Sequence, residues 1–203
     1  MRTLKQVPIA ITIIRFFLGP AFMVLYAPEG ASTLLRLVLF GIIALSIFSD
    51  WLDGYAARRL NAVSTIGKLL DPFADALFCM LVFATFAWHG RMPGSWWVVG
   101  ILIAREATIT FFLRPLALQR GVVVAARMAG KVKTSFQFGL MVTLLVRDFP
   151  QGWPFVLNLL RALAHMLAPV GAVIVVALSV GSLAVYIRDI ARALKAQGAN
   201  GAS

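Results

Sequence analysis

The chain has 203 residues, 61% of them hydrophobic, 13% charged, and a formal net charge of +11. Soluble domains are nearer about 45–50% apolar, so this composition and a mean hydropathy of +0.88 exclude a water-soluble globular protein and a disordered one. A single cysteine, Cys79, excludes an intrachain disulfide framework, and its place in an apolar run marks it as a small core residue.

Apolar runs occupy residues 8–27, 32–49, 73–90, 95–118, 134–147 and 167–187. About 20 apolar residues cross a bilayer as a helix, and these runs lack the alternation of a barrel. The predicted fold is therefore an all-α integral membrane bundle of six transmembrane helices, the fifth being the shortest. The opening MRTLKQVPIAITIIRFFLGPAF carries Arg15 inside a long apolar stretch with no small-residue cleavage site, and reads as an uncleaved first helix. The turns APEGAS (27–32) and HGRMPGS (89–95) close the first and third spans on one side. Residues 149–166, FPQGWPFVLNLLRALAHM, are amphipathic and are expected to lie along the outer interface before the sixth span. Residues 1–195 are expected to form one domain, and 196–203 a short, disordered polar tail.

The basic residues are unevenly spread. Twelve of them (Arg2, Lys5, Arg58, Arg59, Lys68, Arg120, Arg127, Lys131, Lys133, Arg188, Arg192 and Lys195) flank the spans on one side, against Arg91, Arg147 and Arg161 on the other. The positive-inside rule then puts both termini in the cytoplasm. Basic loops beside membrane helices match anionic lipid headgroups, so nucleic acid is not an expected partner.

Four of the eight acidic residues fall in SDWLDGYAARRLNAVSTIGKLLDPFADAL, residues 49–77. Asp50 and Asp53 are three apart and Asp71 and Asp75 four apart, so a helix projects each pair from one face. The two pairs flank one short turn on the cytoplasmic side. Carboxylates at a membrane edge are costly, and four together suit a hard divalent cation, Mg²⁺ or Mn²⁺. His89 and His165 belong to the opposite side, which argues against zinc. Gly54 and Gly67 leave room for a bulky headgroup, Arg58 can pair with a phosphate, and Pro72 is expected to disrupt the early turns of the third span.

Read as Asp50-x2-Asp53-Gly54-x2-Ala57-Arg58-x8-Gly67-x3-Asp71-x3-Asp75, this stretch resembles the full signature of the CDP-alcohol phosphatidyltransferases, with all eight specified positions filled. The resemblance implies a six-helix membrane enzyme, a homodimer, with two divalent metals per site. Such an enzyme moves a phosphatidyl group from CDP-diacylglycerol to an alcohol and releases CMP. It implies Asp50, Asp53, Asp71 and Asp75 as metal ligands, Gly54, Ala57, Arg58 and Gly67 as the CDP-diacylglycerol pocket, and Asp75 also as general base.

The acceptor is read from IAREATITFFLRPLALQRGVVVAARMAGKVKTSFQFG, residues 103–139. It resembles the matching region of bacterial phosphatidylglycerophosphate synthases, enzymes of the bacterial inner membrane whose active site faces the cytoplasm. The implied acceptor is glycerol 3-phosphate, and Arg105, Arg114, Lys131, Lys133 and Thr134 are the expected acceptor-phosphate contacts. Because neighbouring residues point apart on a helix, Arg105 is expected to find a structural partner other than Glu106. Three departures from the pattern bear on the acceptor. Ala76 stands where Lys is usual, Pro115 where Glu is usual, and the Arg105–Arg114 interval is one residue longer. The alternatives are phosphatidylglycerol (a cardiolipin synthase) or inositol phosphate as acceptor, an aromatic prenyltransferase, and a cation-coupled carrier.

Overall fold

The computed structural model describes residues 7–60, 65–120, 128–149 and 155–200, with the backbone alone at 7–12, 50–60, 65–72, 118, 128–129 and 196–200. The elements are α1 (Val7–Leu25), α2 (Thr33–Leu60), α3 (Thr65–Trp88), α4 (Ser95–Ala107), a π-helical segment (Thr108–Leu113), α5 (Arg114–Gln119), α6 (Met128–Arg147) and α7 (Phe155–Asn200). The segments α4, π and α5 follow without a break, so the described residues form six helical rods with no strand. Two rods, Ser95–Ala117 and Phe155–Lys195, are long and apolar enough to cross a bilayer. The described parts of α1, α2 and α3 add the shorter apolar stretches Ile13–Leu25, Thr33–Ser49 and Phe73–Trp88.

Residue chemistry is distributed as lipid requires. Phe17, Val24, Trp97, Phe112 and Val173 stand on the outside, whereas Arg15, Ser46, Thr85, Glu106, Lys133, Gln137 and Ser179 are buried. A broad exposed apolar surface around a partly polar interior suits a bilayer rather than water. Hydroxyls in the helices turn back on their own backbone: Thr85 donates to the Leu81 carbonyl, Thr143 to Gly139 and Ser49 to Leu45.

The tightest packing joins α1 to α3. A Cβ on Gly19 would lie 2.9 Å from Leu81 Cδ1 and 3.4 Å from Phe78 Cα, so the missing side chain lets the two helices close. Ring pairs climb both helices together: Phe16 on Phe73 at 5.5 Å, then Phe22 and Tyr26 on Phe86 at 5.6 and 5.1 Å. Helices α1 and α3 therefore run parallel. Ser32 caps α2 by accepting from the Leu35 amide at 3.2 Å, and Arg36 reaches back to the Pro28 carbonyl at 3.4 Å. That return makes α2 antiparallel to both. Helix α6 runs with α3, since Lys133 meets Glu106, Phe138 lies by Phe78 at 6.3 Å, and Asp148, just past its end, meets Tyr26. Helix α7 runs back along α6, starting where Arg161 donates to the Arg147 carbonyl at 3.3 Å.

One end of the bundle is tied by polar contacts. The Tyr26 hydroxyl donates to Asp148 Oδ2, Arg36 to the Asp148 carbonyl and Arg147 to the Arg91 carbonyl, while Arg91 Nε lies 3.5 Å from Asp148 Oδ1. The Asp148 carboxylate is nearly sealed, at 2% exposure. Asp148→Ala is expected to cost about 2–4 kcal/mol, because it strands the Tyr26 hydroxyl and leaves Arg91 with only the exposed Glu29, at 3.6 Å. Melting of the detergent-purified protein reads that loss. Activity per folded molecule should not change, since this network lies at the other end of α1 and α3 from Asp75.

Two local expectations are corrected. The amphipathic stretch and the sixth span are one helix, α7, of 46 residues with Pro169 inside it. At about 1.5 Å per residue it is far longer than a hydrocarbon core. The helix continues to Asn200, where Ala and Lys upstream favour continuation. Helix α3 passes through Pro72 without interruption. Proline removes one backbone hydrogen bond there, a loss that membrane helices accommodate when neighbours re-satisfy the freed carbonyl.

Candidate active site

Helix α2 continues past the apolar run to Leu60 and α3 begins at Thr65, so the signature lies on two helices joined by residues 61–64. Asp50 and Asp75 each lie ten residues from the turn-side ends, Leu60 and Thr65; Asp53 and Asp71 lie seven and six residues away. Asp50 and Asp75 thus lie about 15 Å along their helices from those ends, and Asp53 and Asp71 about 10 Å. Gly54, Ala57 and Arg58 lie on the turn-side part of α2 and Gly67 in the first turn of α3. The side chains of Asp50, Asp53, Ala57, Arg58 and Asp71 lie outside the described residues. No cluster of three metal-ligating side chains occurs among the described ones.

Asp75 is the signature aspartate whose side chain is described. Arg15 Nη1 donates to its Oδ1 at 2.5 Å, across 60 residues of chain. The Arg15 side chain is wholly buried, and that of Asp75 is 36% accessible. A sealed guanidinium thus grips one oxygen of a partly accessible carboxylate. Around this pair, Phe73 of α3 contacts Phe16 at 5.5 Å and Phe111 of the π segment at 5.4 Å. These rings dock α1 and the π segment on α3 at the level of Asp75.

Does this set fit a divalent metal? Carboxylates offer only acceptor oxygens, and the two pairs lie at matching distances from the facing ends of successive helices. Asp75, the member with a described side chain, is ionically held and partly accessible. That donor set fits a hard cation such as Mg²⁺ or Mn²⁺.

Two of the five predicted acceptor residues, Arg105 and Lys133, meet at a second node, between α4, α6 and α7. Arg105 Nη1 donates to Glu106 Oε2 at 2.8 Å and Nη2 to Ser182 Oγ at 2.9 Å, while Lys133 donates to Glu106 Oε1. Glu106 and Lys133 are both buried. The expectation that Arg105 would bypass Glu106 is therefore corrected. Adjacent helical residues diverge by about 100°, but a guanidinium long enough to fold back closes the gap, and a buried carboxylate favours every nearby cation. Thr134 uses its hydroxyl on the Gly130 carbonyl at 3.1 Å, and Lys131 is exposed. Arg114 is half-buried, at the first position of α5.

Two residues at these nodes were not expected from sequence: Arg15 as the partner of Asp75, and Ser182 as the partner of Arg105. Arg15 carried a signal, since an ionisable residue inside an apolar helix implies a specific partner. Ser182, a small polar residue in a long apolar helix, carried none.

Comparison with known proteins completes the picture. The family model for CDP-alcohol phosphatidyltransferase matches residues 5–186. The CDP-diacylglycerol–glycerol-3-phosphate 3-phosphatidyltransferase of Bacillus subtilis (strain 168) is 37% identical over 155 residues, covering 71% of this chain and 79% of that protein. The Escherichia coli (strain K12) protein of the same name is 34% identical over 153 residues, covering 73% and 80%. A Mycobacterium tuberculosis (strain ATCC 25618 / H37Rv) protein provisionally named cardiolipin synthase is 37% identical over 157 residues, covering 74% and 69%. With the family match spanning most of the chain and the eight signature positions filled on two antiparallel helices, this protein belongs to the CDP-alcohol phosphatidyltransferase family and is an enzyme of phosphatidyl transfer.

Proposed function

We propose that the enzyme transfers the phosphatidyl group of CDP-diacylglycerol to glycerol 3-phosphate, giving phosphatidylglycerophosphate and CMP. The observation that carries this reading is the Asp75 carboxylate, gripped on one oxygen by buried Arg15 and still partly accessible. Asp75 accepts the proton of the acceptor hydroxyl; the hydroxyl oxygen bonds to the phosphorus that carries diacylglycerol. The bond from that phosphorus to the oxygen of CMP breaks, and CMP leaves with the electron pair. Asp50, Asp53, Asp71 and Asp75 would hold two Mg²⁺ or Mn²⁺ ions, which when bound offset charge on the diphosphate. Gly54, Ala57, Arg58 and Gly67 line the CDP-diacylglycerol site, the glycines by leaving space and Arg58 by pairing with phosphate.

Arg105, Arg114, Lys131, Lys133 and Thr134 form the acceptor-phosphate site. The names of the Bacillus and Escherichia relatives support glycerol 3-phosphate. The mycobacterial relative supports a second reading, phosphatidylglycerol as acceptor, which Ala76 also favours by removing an expected cation. Purified protein supplied with CDP-diacylglycerol and each acceptor in turn separates the two. CMP release with glycerol 3-phosphate is the expected result, and release only with phosphatidylglycerol sinks it. Chelation of divalent cations with EDTA is expected to abolish turnover, and added Mn²⁺ or Mg²⁺ to restore it.

The charge bias supports six spans with both termini in the cytoplasm and the aspartate site at the cytoplasmic surface of the bacterial inner membrane. There a lipid-anchored diphosphate meets a water-soluble acceptor. Residues 1–195 act as one catalytic unit, and the family resemblance supports a homodimer.

A further inference from the structure

We infer that the π-helical segment Thr108–Leu113 is the element that sets acceptor recognition, by turning Arg114 onto the same helix face as the Glu106–Lys133 pair. This rests on the acceptor reading given above.

The segment lies between Arg105 and Arg114, and the Arg114 amide at its end bonds the Ile109 carbonyl, five residues back. In a straight α-helix, at about 100° per residue, Glu106 and Arg114 would stand about 80° apart and Arg105 and Arg114 about 180° apart. A π turn closes i→i+5, so each of its residues advances only about 80°. Over this segment the difference comes to roughly one α-helical residue's rotation, about 100°. Arg114 then returns to within about 40° of Glu106, displaced along the axis toward the α2–α3 turn.

Packing agrees with that rotation. Arg105 faces α7 through Ser182. Leu113 and Ala117 also face α7, packing with Ile190 and Tyr186. Residues 105, 113 and 117 would drift around a straight helix by about 120°. They share one stripe because the π segment removes the drift. Arg114 follows Leu113 as Glu106 follows Arg105, which places both on the flank that meets Lys133 of α6. Phe111 docks this same segment on Phe73, two residues from Asp75. The π segment therefore ties the azimuth of Arg114 to the aspartate site. Among the described residues Arg114 has no ion-pair partner, whereas Arg105 and Lys133 share Glu106. Its guanidinium can take a phosphate without giving up an ion pair.

The test uses three variants of the full chain in nanodiscs, assayed with CDP-diacylglycerol. Deleting Phe112, which is 70% exposed, removes one residue and lets the segment relax to an α-helix with Arg114 on the same face. The acceptor KM should stay within about threefold of the parent protein. Inserting an alanine after Thr108 turns Arg114 by about 100° and should raise the acceptor KM about tenfold or more, with the CDP-diacylglycerol KM unchanged. Arg114→Gln should give the same KM split without disturbing the helix, and it decides the matter if the insertion does not fold. The inference is overturned if the deletion raises the acceptor KM as the insertion does, or if Arg114→Gln leaves that KM unchanged. Turnover of the unaltered protein with glycerol 3-phosphate reads the acceptor assignment independently. If another acceptor is the one used, the same comparison is made with it.

Discussion

Asp75→Asn is expected to lower kcat by about three orders of magnitude while leaving CDP-diacylglycerol binding nearly intact, since a general base contributes about 10²–10⁴-fold. The substitution is nearly isosteric and keeps a carbonyl oxygen where Arg15 donates at 2.5 Å, so the contact between α1 and α3 is preserved. What it removes is the capacity to accept a proton. Single-turnover release of CMP measures the chemical step, and the rise in melting temperature on adding CDP-diacylglycerol measures binding. Near-normal turnover would rule Asp75 out as the base. Lost binding together with lost turnover would make it a ligand-site residue alone.

The second large effect is expected at Arg15. Its side chain is sealed inside the bundle and meets a carboxylate contributed from 60 residues away. Arg15→Met removes the donor that orients Asp75, and a misplacement of about 1 Å at a reacting group can cost about 10²-fold. We therefore expect kcat, normalised to folded protein, to fall by about 10–100-fold with little change in the CDP-diacylglycerol KM. Arg15→Lys should recover part of the loss, because an ammonium supplies a charge and one donor but not the planar fork. A purely structural Arg15 would behave differently: the folded fraction would drop and kcat per folded molecule would hold. Measuring both quantities on one preparation separates the outcomes.

Legibility varied with the range of the interaction concerned. The four aspartates were readable because their meaning lies in spacing along a helix and in one short turn, both local properties. Glycines and alanines beside them were readable for the same reason. Arg15 was visible as an anomaly in an apolar helix, but its partner depends on the parallel packing of α1 on α3, which Gly19 permits. The Arg105–Glu106 pair was misjudged because ideal helical directions ignore the reach of a guanidinium and the pull of a buried carboxylate shared with Lys133. The amphipathic pattern of residues 149–166 suggests an element separate from the sixth span, whereas the chain runs helical from Phe155 to Asn200.

By itself the sequence determined the all-helical, apolar class of the chain and its chemistry-bearing signature: apolar runs suited to lipid, and carboxylates in helical register about a turn. These follow from hydrophobicity and backbone periodicity, which act within a few residues. Only the tertiary structure decided which cation meets which acid and where the fourth rod turns π-helical. Those outcomes depend on helix azimuth, and a change of one residue turns a helix face by about 100°. Packing against α3, α6 and α7 selects the rotation that buries the rings and pairs the charges.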